Sequence, residues 1–338
     1  MGEKTNRRVL LRARPEGAVK ESDFEIAAEP VREPGAGEVL VKGLYLSLDP
    51  YMRGRMSAAK SYAPPVDLGD VMIGEVVGEV VASKDPAFAH GDHVAGMLGW
   101  QEWATVPAGS LRKIRPNVRP VSYALGVLGM PGLTAFFGLL EVGRPRPGDT
   151  VVVSAASGAV GSVVGQLARA AGCRVVGIVG SDSKADYIRG ELGFDAAINH
   201  RTATDMRKAV ALACPRGVDV YFDNVGADVT DAVVANFAFK ARMVVCGMIA
   251  QYNLTEAYRG PDHLRSILVN RARIEGFLVF DWAHRYAEGI ARLRAMLESG
   301  ALVYREDIVD GIERAPAGLI GLFEGENFGK RLVRLAQD

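Results

Sequence analysis

A chain of 338 residues has room for about two domains of ordinary size. Its 40 basic side chains balance 40 acidic ones, so no overall field draws it to nucleic acid or to an anionic membrane, and a small-molecule partner is expected. Three cysteines, Cys173, Cys214 and Cys246, are too few and too scattered for a disulfide framework or a paired-cysteine metal motif, which suits a reducing compartment.

The N-terminal stretch is charged and lacks the apolar core of a secretory signal. Asn6 stands where a myristoylation pattern wants Ser or Thr, so a cytoplasmic location is expected. The first 125 residues then run through "GEVLVKGLYLSL", "DVMIGEVVGEVVAS", "GDHVAGMLGW" and "QEWATVPA". Short β-rich segments punctuated by Gly, Pro and Asp predict a compact barrel domain, and the helical "PVSYALGVLGMPGLTAFFGLLEVG" leads out of it.

Residues 150–168 carry no charge over nineteen positions, close to what a bilayer demands. Gly158, Gly161, Ser162 and Gly165 interrupt the run, and "TVVVS" has strand character, so a membrane span is not the reading. A strand over 150–153, a small-residue loop, a helix and a second strand over 174–179 predict a βαβ unit. In its loop Ala155, Gly158 and Gly161 are read as a dinucleotide fingerprint with Ala in the first glycine's place. Gly158 would let the backbone approach a pyrophosphate, Gly161 would let helix and strand pack closely, and the helix N-terminus would face the phosphates.

The end of the second strand chooses between cofactors. NAD needs a carboxylate for the ribose 2′-hydroxyl, whereas a 2′-phosphate needs a cation. In "GIVGSDSKADY" Gly180 and Ser181 hold the tip and Lys184 follows a turn later, which favours NADP, with Asp182 as the complication. Further apolar runs, "DAAINH", "VDVYFDNVG", "ARMVVCGMI" and "ARIEGFLVF", separated by helices expected over 204–213 and 228–239, complete a doubly wound sheet. Asn224, Cys246, Gly247 and Phe277 then fall at the carboxyl ends of strands, where such sheets bind ligands. Cys246 has no His or Asp beside it in sequence and reads as a buried apolar thiol. The closing segment ends in a strand that would rejoin the first domain. The expected division is therefore 1–125 with 309–338, and 126–308.

Seven motifs in order carry a resemblance: "LSLDPYMRGRM", "GMPGLTAFFGLLEVG", "AASGAVGSVVGQLA", "GSDSK", "YFDNVG", "CGMIAQYN" and "GENFGK". Across essentially its whole length the chain resembles the zinc-independent medium-chain dehydrogenase/reductase superfamily. Within it, the chain is similar to the leukotriene B4 12-hydroxydehydrogenase, prostaglandin reductase and curcumin reductase family of NADPH-dependent reductases. The resemblance implies a GroES-like β-rich domain joined to a Rossmann domain, and a homodimer in which "IEGFLVF" extends the sheet. A catalytic zinc would need Cys or His ligands in the N-terminal domain, yet no cysteine precedes Cys173 and Ile73, Gly74 and Glu75 stand where zinc enzymes carry Gly-His-Glu. His90 and His93 read as residues of a surface turn, so no metal is expected.

Without a metal, reduction of a C=C bond conjugated to a carbonyl is the less demanding chemistry: an enolate oxygen needs hydrogen-bond donors and the α-carbon a proton. The resemblance implies the nicotinamide ribose 2′-hydroxyl and a tyrosine as donors, with Tyr51 and Tyr252 as candidates beside the alternative of structural tyrosines. Arg53 and Arg55 read either as contacts to an anionic substrate tail or as surface ion-pair partners. Carried over by position, Gly158, Ala159, Val160 and Gly161 meet the pyrophosphate and Lys184 the 2′-phosphate. Asn224, Cys246, Gly247, Met248, Tyr252, Phe277 and Asn327 surround the nicotinamide and ribose.

Where the family commonly has Asn-Tyr-Lys after the third strand, this chain has Asn199, His200 and Arg201, both of the latter able to meet a phosphate. The stretch "GPDHLRSILVN" lacks a tyrosine that some members carry near the substrate. The expected activity is reduction of 2-alkenals and enones. A quinone reductase of the same superfamily and a non-catalytic nucleotide-binding sensor are the alternatives.

Overall fold

The computed structural model describes residues 4–116, 118, 120–256, 258 and 264–336. The chain divides into two compact units, one of residues 1–126 with 306–338 and one of residues 127–305.

In the first unit β1 (Thr5–Leu11) pairs antiparallel with β2 (Phe24–Pro30). There follow β3 (Glu38–Ser47), the single helical turn α1 (Met52–Arg55), β4 (Val76–Ser83), β5 (His93–Gly96), β6 (Trp103–Pro107) and β7 (Arg112–Lys113). The second unit contains α2 (Met130–Phe137), β8 (Thr150–Ser154), α3 (Gly161–Ala170), β9 (Arg174–Val179), α4 (Asp182–Gly190) and β10 (Ala196–Asn199). It continues through α5 (Met206–Ala213), β11 (Val218–Asp223), α6 (Ala227–Val234), β12 (Phe237–Val245), α7 (Leu264–Asn270), β13 (Arg273–Gly276) and α8 (Tyr286–Glu298). The chain then returns to the first unit with β14 (Glu306–Asp310), α9 (Ala315–Glu324) and β15 (Lys330–Arg334).

The sheet of the first unit runs β14-β15-β3-β4-β5-β7, with β6 also paired to β3. β3 is ten residues long, which lets one strand serve three partners: β15 near its end, β4 along most of it and β6 near its start. The core below it includes Trp100, stacked on Phe24 at 5.4 Å, together with Met52, Met56 and Leu319. Lys330 is 1 % exposed. Its ammonium is held by the Leu48 carbonyl at 2.8 Å and Asp49 Oδ1 at 2.7 Å, so this buried charge is paired as burial requires.

The second unit carries a six-stranded sheet in the order β10-β9-β8-β11-β12-β13, every pair parallel. Counted from β8, this is the 3-2-1-4-5-6 order of a doubly wound dinucleotide-binding sheet. All five residues of β8 are buried, as expected of a strand covered on both faces, and each buried valine contributes about 1.5 kcal/mol or more. The uncharged run of 150–168 thus splits into β8, a turn and α3. No described helix is long and apolar enough to cross a membrane.

Two expected elements change. The helix expected over 228–239 stops at Val234, because Phe237 already pairs with Val218 in the sheet. Between Phe237 and Arg242 the register slips at a bulge, with Lys240 in the left-handed region (φ 58°), which hides the strand's alternation in the sequence. The run "ARIEGFLVF" is strand only over Arg273–Gly276, and Val279–Arg285 winds into short helical turns.

Candidate active site

Because the sheet is parallel, all its strands end on one edge. Ala155, Gly180, His200, Asn224, Cys246 and Phe277 each stand one residue past the end of β8, β9, β10, β11, β12 and β13 respectively. That edge is where open α/β sheets take their ligands, and β8 lies at the switch between the two halves.

The turn from β8 to α3 is built around the Ala155 carbonyl. Ala155 adopts φ 50°, a left-handed conformation that costs an alanine about 1–2 kcal/mol. Its oxygen accepts from Gly158 N–H at 2.9 Å. A Cβ at Gly161 would lie 2.4 Å from that oxygen, and one at Gly158 3.2 Å from it. Both glycines therefore permit close approach, Gly161 of the helix to the strand and Gly158 of the turn to its own carbonyl. The strict spacing of the fingerprint would put its first glycine at Ala156; the residue that turns the chain is Ala155, one place earlier. Ala159, Val160 and Gly161 head α3, where backbone N–H groups have no helical acceptor and the dipole favours an anion.

At the end of β9 the groups are cationic. Ser181 caps α4, its Oγ accepting from Lys184 N–H at 3.3 Å. A Cβ at Gly180 would lie 3.4 Å from His200 Nε2 and 3.6 Å from Arg201 Nε. The position where an NAD enzyme places its carboxylate is thus bare backbone beneath an imidazole and a guanidinium. Loss of water, then the charges of Arg201 and Lys184, holds the His200 imidazole below its ordinary pKa. Asp182, the acidic residue that could have met a ribose hydroxyl, accepts from Asn199 Nδ2 at 2.8 Å. The donor set fits a 2′-phosphate.

At the ends of β11 and β12 the buried carboxylate of Asp223 organises the backbone. Its Oδ1 accepts from Tyr221 Oη at 2.7 Å, Ser154 Oγ at 3.0 Å, Val225 N–H at 2.9 Å and Gly226 N–H at 3.1 Å, while Oδ2 accepts from Thr230 Oγ1 at 2.5 Å. Asn224 is tied to the phosphate turn, its Nδ2 donating to the Ser154 carbonyl at 2.7 Å and its N–H to Ser154 Oγ at 2.8 Å. The segment after β12 folds over it: Cys246 and Gly247 N–H groups bond the Asp223 carbonyl, and Ile249 N–H the Asn224 carbonyl. Met248 N–H donates to Tyr252 Oη at 3.2 Å. A Cβ at Gly247 would lie 3.4 Å from Tyr252 Oη and 3.5 Å from the Asn224 carbonyl. The structure therefore gathers Asn224, Gly247, Met248 and Tyr252 in one corner. Sequence reasoning gave no role to Asp223, Ser154 or Thr230, although a lone Asp closing the apolar run "VYF" was a signal. Cys246 is half-buried rather than buried as expected, yet loss of water, then Asp223, pushes its thiol up to about 12, so it stays protonated. Phe277 packs edge-on against Phe222 and Trp282, and its ring fills the space a side chain at Gly138 would need.

Tyr51 and Asn327 belong to the first unit. Tyr51 precedes α1 and packs against the core around Met52, and Asn327 Nδ2 donates to the Gly329 carbonyl at 2.8 Å between α9 and β15. Burial, then the charges of Asp49 and Glu75, raises the Tyr51 phenol's pKa, with Arg55 opposing. The hydroxyl is a proton donor throughout the physiological range, never a phenolate. Arg53 and Arg55 are 7 % and 6 % exposed, which removes the surface ion-pair reading. Arg53 donates to the Pro15 and Gly17 carbonyls, and the Arg55 guanidinium lies 4.6 Å from the Tyr62 ring centre and 5.9 Å from that of Tyr51. His90 is exposed in a turn, whereas His93 opens β5 and pairs with Glu79. Among the described residues no group of three His, Cys, Asp or Glu could hold a metal ion. Residues 260–263, at the start of the stretch that lacks the family's tyrosine, lie outside the described residues.

A doubly wound sheet with this turn at its first strand and cations at its second defines an NADP-dependent oxidoreductase. Residues 7–114 match the N-terminal domain of oxidoreductases, and residues 159–295 match the family described as zinc-binding dehydrogenase. The chain is 45% identical over 338 residues to the NADPH-dependent curcumin reductase of Escherichia coli (strain K12), covering 98% of each chain. It is 44% identical over 345 residues to the NADP(+)-dependent 2-alkenal reductase of Nicotiana tabacum, covering 99% of each. Vibrio vulnificus CurA, solved in complex with NADPH, superposes with a TM-score of 0.94 at 45% identity, over 98% of this chain and 100% of that one. The chain belongs to the zinc-independent, NADP-dependent reductases of the medium-chain dehydrogenase/reductase family, and its cofactor is NADP(H).

Proposed function

We propose that the chain reduces the C=C bond of α,β-unsaturated aldehydes and ketones. The observation that carries this reading is the position of Tyr252, whose hydroxyl accepts from Met248 N–H at 3.2 Å and lies against Gly247 at the carboxyl ends of β11 and β12. An N–H bond to the phenol oxygen fixes its lone pair, strengthens it as a donor and costs no reorganisation during reaction. The names of the relatives, a curcumin reductase and a 2-alkenal reductase, support the same substrate class.

Bound NADPH supplies the hydride, which forms a C–H bond at the substrate's β-carbon as the C=C π pair moves into the enolate. Tyr252 donates a hydrogen bond to the oxygen on which that charge develops. A solvent proton then completes the α-carbon, so one enone, one NADPH and one proton give the saturated carbonyl and NADP+. The Asp223 cluster holds the 224–226 and 246–252 segments together, which presents Tyr252 and Asn224 in fixed positions. Gly158, Ala159, Val160 and Gly161 are assigned to the pyrophosphate, Lys184 and His200 to the 2′-phosphate, and Asn224, Cys246, Gly247, Met248, Tyr252, Phe277 and Asn327 to the nicotinamide and ribose. Tyr51 is assigned as a second donor to substrate.

The test is NADPH oxidation with a 2-alkenal, a saturated aldehyde and a benzoquinone in parallel. Turnover of the 2-alkenal alone is expected, with Tyr252→Phe lowering kcat about tenfold or more. Fast quinone turnover with an inert alkenal would overturn the assignment, and Tyr51→Phe tests the second donor separately. We propose in addition that the chain forms a homodimer through β13, the outer strand of the sheet, beside which Ile274, Leu278 and Phe280 are 43 %, 38 % and 62 % exposed. Light scattering at micromolar concentration checks it, and a monomer would refute it.

A further inference from the structure

The helix α2 passes at Gly138 into a π-helical turn over Gly138–Gly143, a rare geometry that recurs at functional sites. The segment running on from the start of β13 is fastened to that turn through Arg273, Phe277 and Arg285. Arg273 Nη2 donates to the Val142 carbonyl at 3.3 Å, Arg285 Nη1 donates to Glu141 Oε1 at 2.7 Å, and between them the tip of the Phe277 ring enters a notch at Gly138. A Cβ at Gly138 would lie 2.4 Å from Phe277 Cζ and 2.9 Å from Phe222 Cε2, where carbon atoms in contact keep about 3.5 Å or more. The backbone there does not call for glycine: φ −59° and ψ −42° are ordinary helical values, and alanine is the better helix former. The occupant of the notch does.

The ring has no room to turn aside. Phe222, fully buried in β11, meets it edge-on with 6.4 Å between ring centres, and Trp282 does so at 5.9 Å. Trp282 in turn stacks on Phe137 at 5.7 Å, and its backbone leaves helical geometry (φ −107°, ψ 20°) at that point. Phe277 itself stands one residue past β13, on the edge where the sheet takes its ligand.

We propose that Gly138 is a positioning residue for the cofactor's nicotinamide: the notch sets how deep the Phe277 ring seats, and with it where residue 277 stands against the nicotinamide. This rests on the assignment of Phe277 to the nicotinamide. A methyl group at 138 must displace the ring tip by about 1 Å. Because Phe222 and Trp282 block rotation, the displacement passes to the backbone of residue 277, as close-packed interiors transmit strain. The pyrophosphate and the 2′-phosphate are assigned to the turn after β8 and the corner after β9, on other strands, so the disturbance is confined to the nicotinamide half of the dinucleotide.

The experiment is calorimetric titration of the intact protein with NADPH and with 2′-phospho-ADP-ribose, which lacks the nicotinamide. Gly138→Ala is expected to weaken NADPH about tenfold and to leave 2′-phospho-ADP-ribose unchanged. Phe277→Leu removes the ring tip and empties the notch, and should weaken NADPH about threefold. Adding Gly138→Ala to Phe277→Leu should weaken NADPH no further, because the clash has gone. If Gly138→Ala weakens both ligands alike, or weakens NADPH as much in the Phe277→Leu background, it does not act through Phe277 and the inference falls. If Phe277→Leu weakens NADPH alone while Gly138→Ala changes nothing, the assignment of Phe277 stands and the role of Gly138 falls. If no variant changes the ratio of the two affinities, residue 277 is not at the nicotinamide and both fall. If Gly138→Ala alone does not fold, Phe277→Leu is compared with the double variant: equal NADPH affinity supports the inference and a further tenfold loss overturns it. No readout requires turnover, so the outcome is independent of the substrate.

Discussion

The Ala155 carbonyl offers a graded test, because Gly158 and Gly161 approach the same oxygen at different distances. A methyl group at 161 would sit 2.4 Å from it, whereas carbon and carbonyl oxygen come no closer than about 3.3 Å without strain. About 0.9 Å must then be found between α3 and the end of β8. The obstacle is backbone in a left-handed residue whose oxygen already accepts from Gly158 N–H, so it cannot swing aside as a side chain would. Overpacking of this kind costs about 1–3 kcal/mol, and loss of the turn's hydrogen bond adds about 1 kcal/mol. Gly161→Ala should therefore lower unfolding stability by about 2–4 kcal/mol in urea. Gly158→Ala places its methyl at 3.2 Å, where a shift of a few tenths of an ångström suffices, and should cost under about 1 kcal/mol of stability. Its methyl nevertheless stands where the backbone must approach the pyrophosphate, so NADPH affinity, read by quenching of protein fluorescence, should fall about tenfold or more. The two variants dissociate: one loses stability first, the other ligand. Equal stability in Gly161→Ala and wild type, or unchanged NADPH binding by Gly158→Ala, would refute this account of the turn.

Other outcomes follow from buried charge and burial. Asp223→Asn turns an NH2 group toward at least one of the five donors around it and should cost about 3 kcal/mol, with weaker NADPH binding; a loss below about 1 kcal/mol in urea unfolding would remove Asp223 as the organiser of this corner. Lys330→Met keeps the volume but leaves Asp49 without its cation, for an expected loss of about 3–5 kcal/mol; a melting profile like wild type would show the ion pair to be dispensable. Burial pushes the Cys246 thiol to about 12, and Cys173 and Cys214 to about 11, so at pH 8 about one Cys246 thiol in ten thousand is ionised. Iodoacetamide followed by intact mass spectrometry should find the native protein almost unmodified after an hour, and rapid alkylation of Cys246 would contradict its apolar setting.

The βαβ unit was legible because a β-branched strand, a small-residue turn and a second strand are local patterns. Ala155 was named from the sequence as the first fingerprint position, but its reason was not, since a positive φ at an alanine is imposed by packing around its carbonyl. Asp223 left a signal at the end of its strand, but its cluster was hidden because Ser154 and Thr230 reach it from other elements, 69 residues away in the first case. Arg53 and Arg55 were read either as contacts to an anionic substrate tail or as surface ion-pair partners; both are buried, Arg53 against backbone carbonyls of the 15–17 loop and Arg55 beside two tyrosine rings. The start of β12 was misread because its bulge at Lys240 erases the alternation that marks a strand.

The partition of the first unit between the two ends of the chain sets an order of events during synthesis. β15 lies between β14 and β3, and Lys330 neutralises Asp49 across 281 positions of sequence. Until β15 leaves the ribosome, β3 has an unpaired flank and Asp49 lacks its cation, while everything the parallel sheet needs has already emerged. The second unit is therefore free to fold first and the N-terminal residues must wait, with a strand edge open to wrong partners for most of translation. Such long-range closure is slow. Truncations that remove β15 should thus damage the unit that holds β3, and chaperone dependence should track the delay in delivering β15.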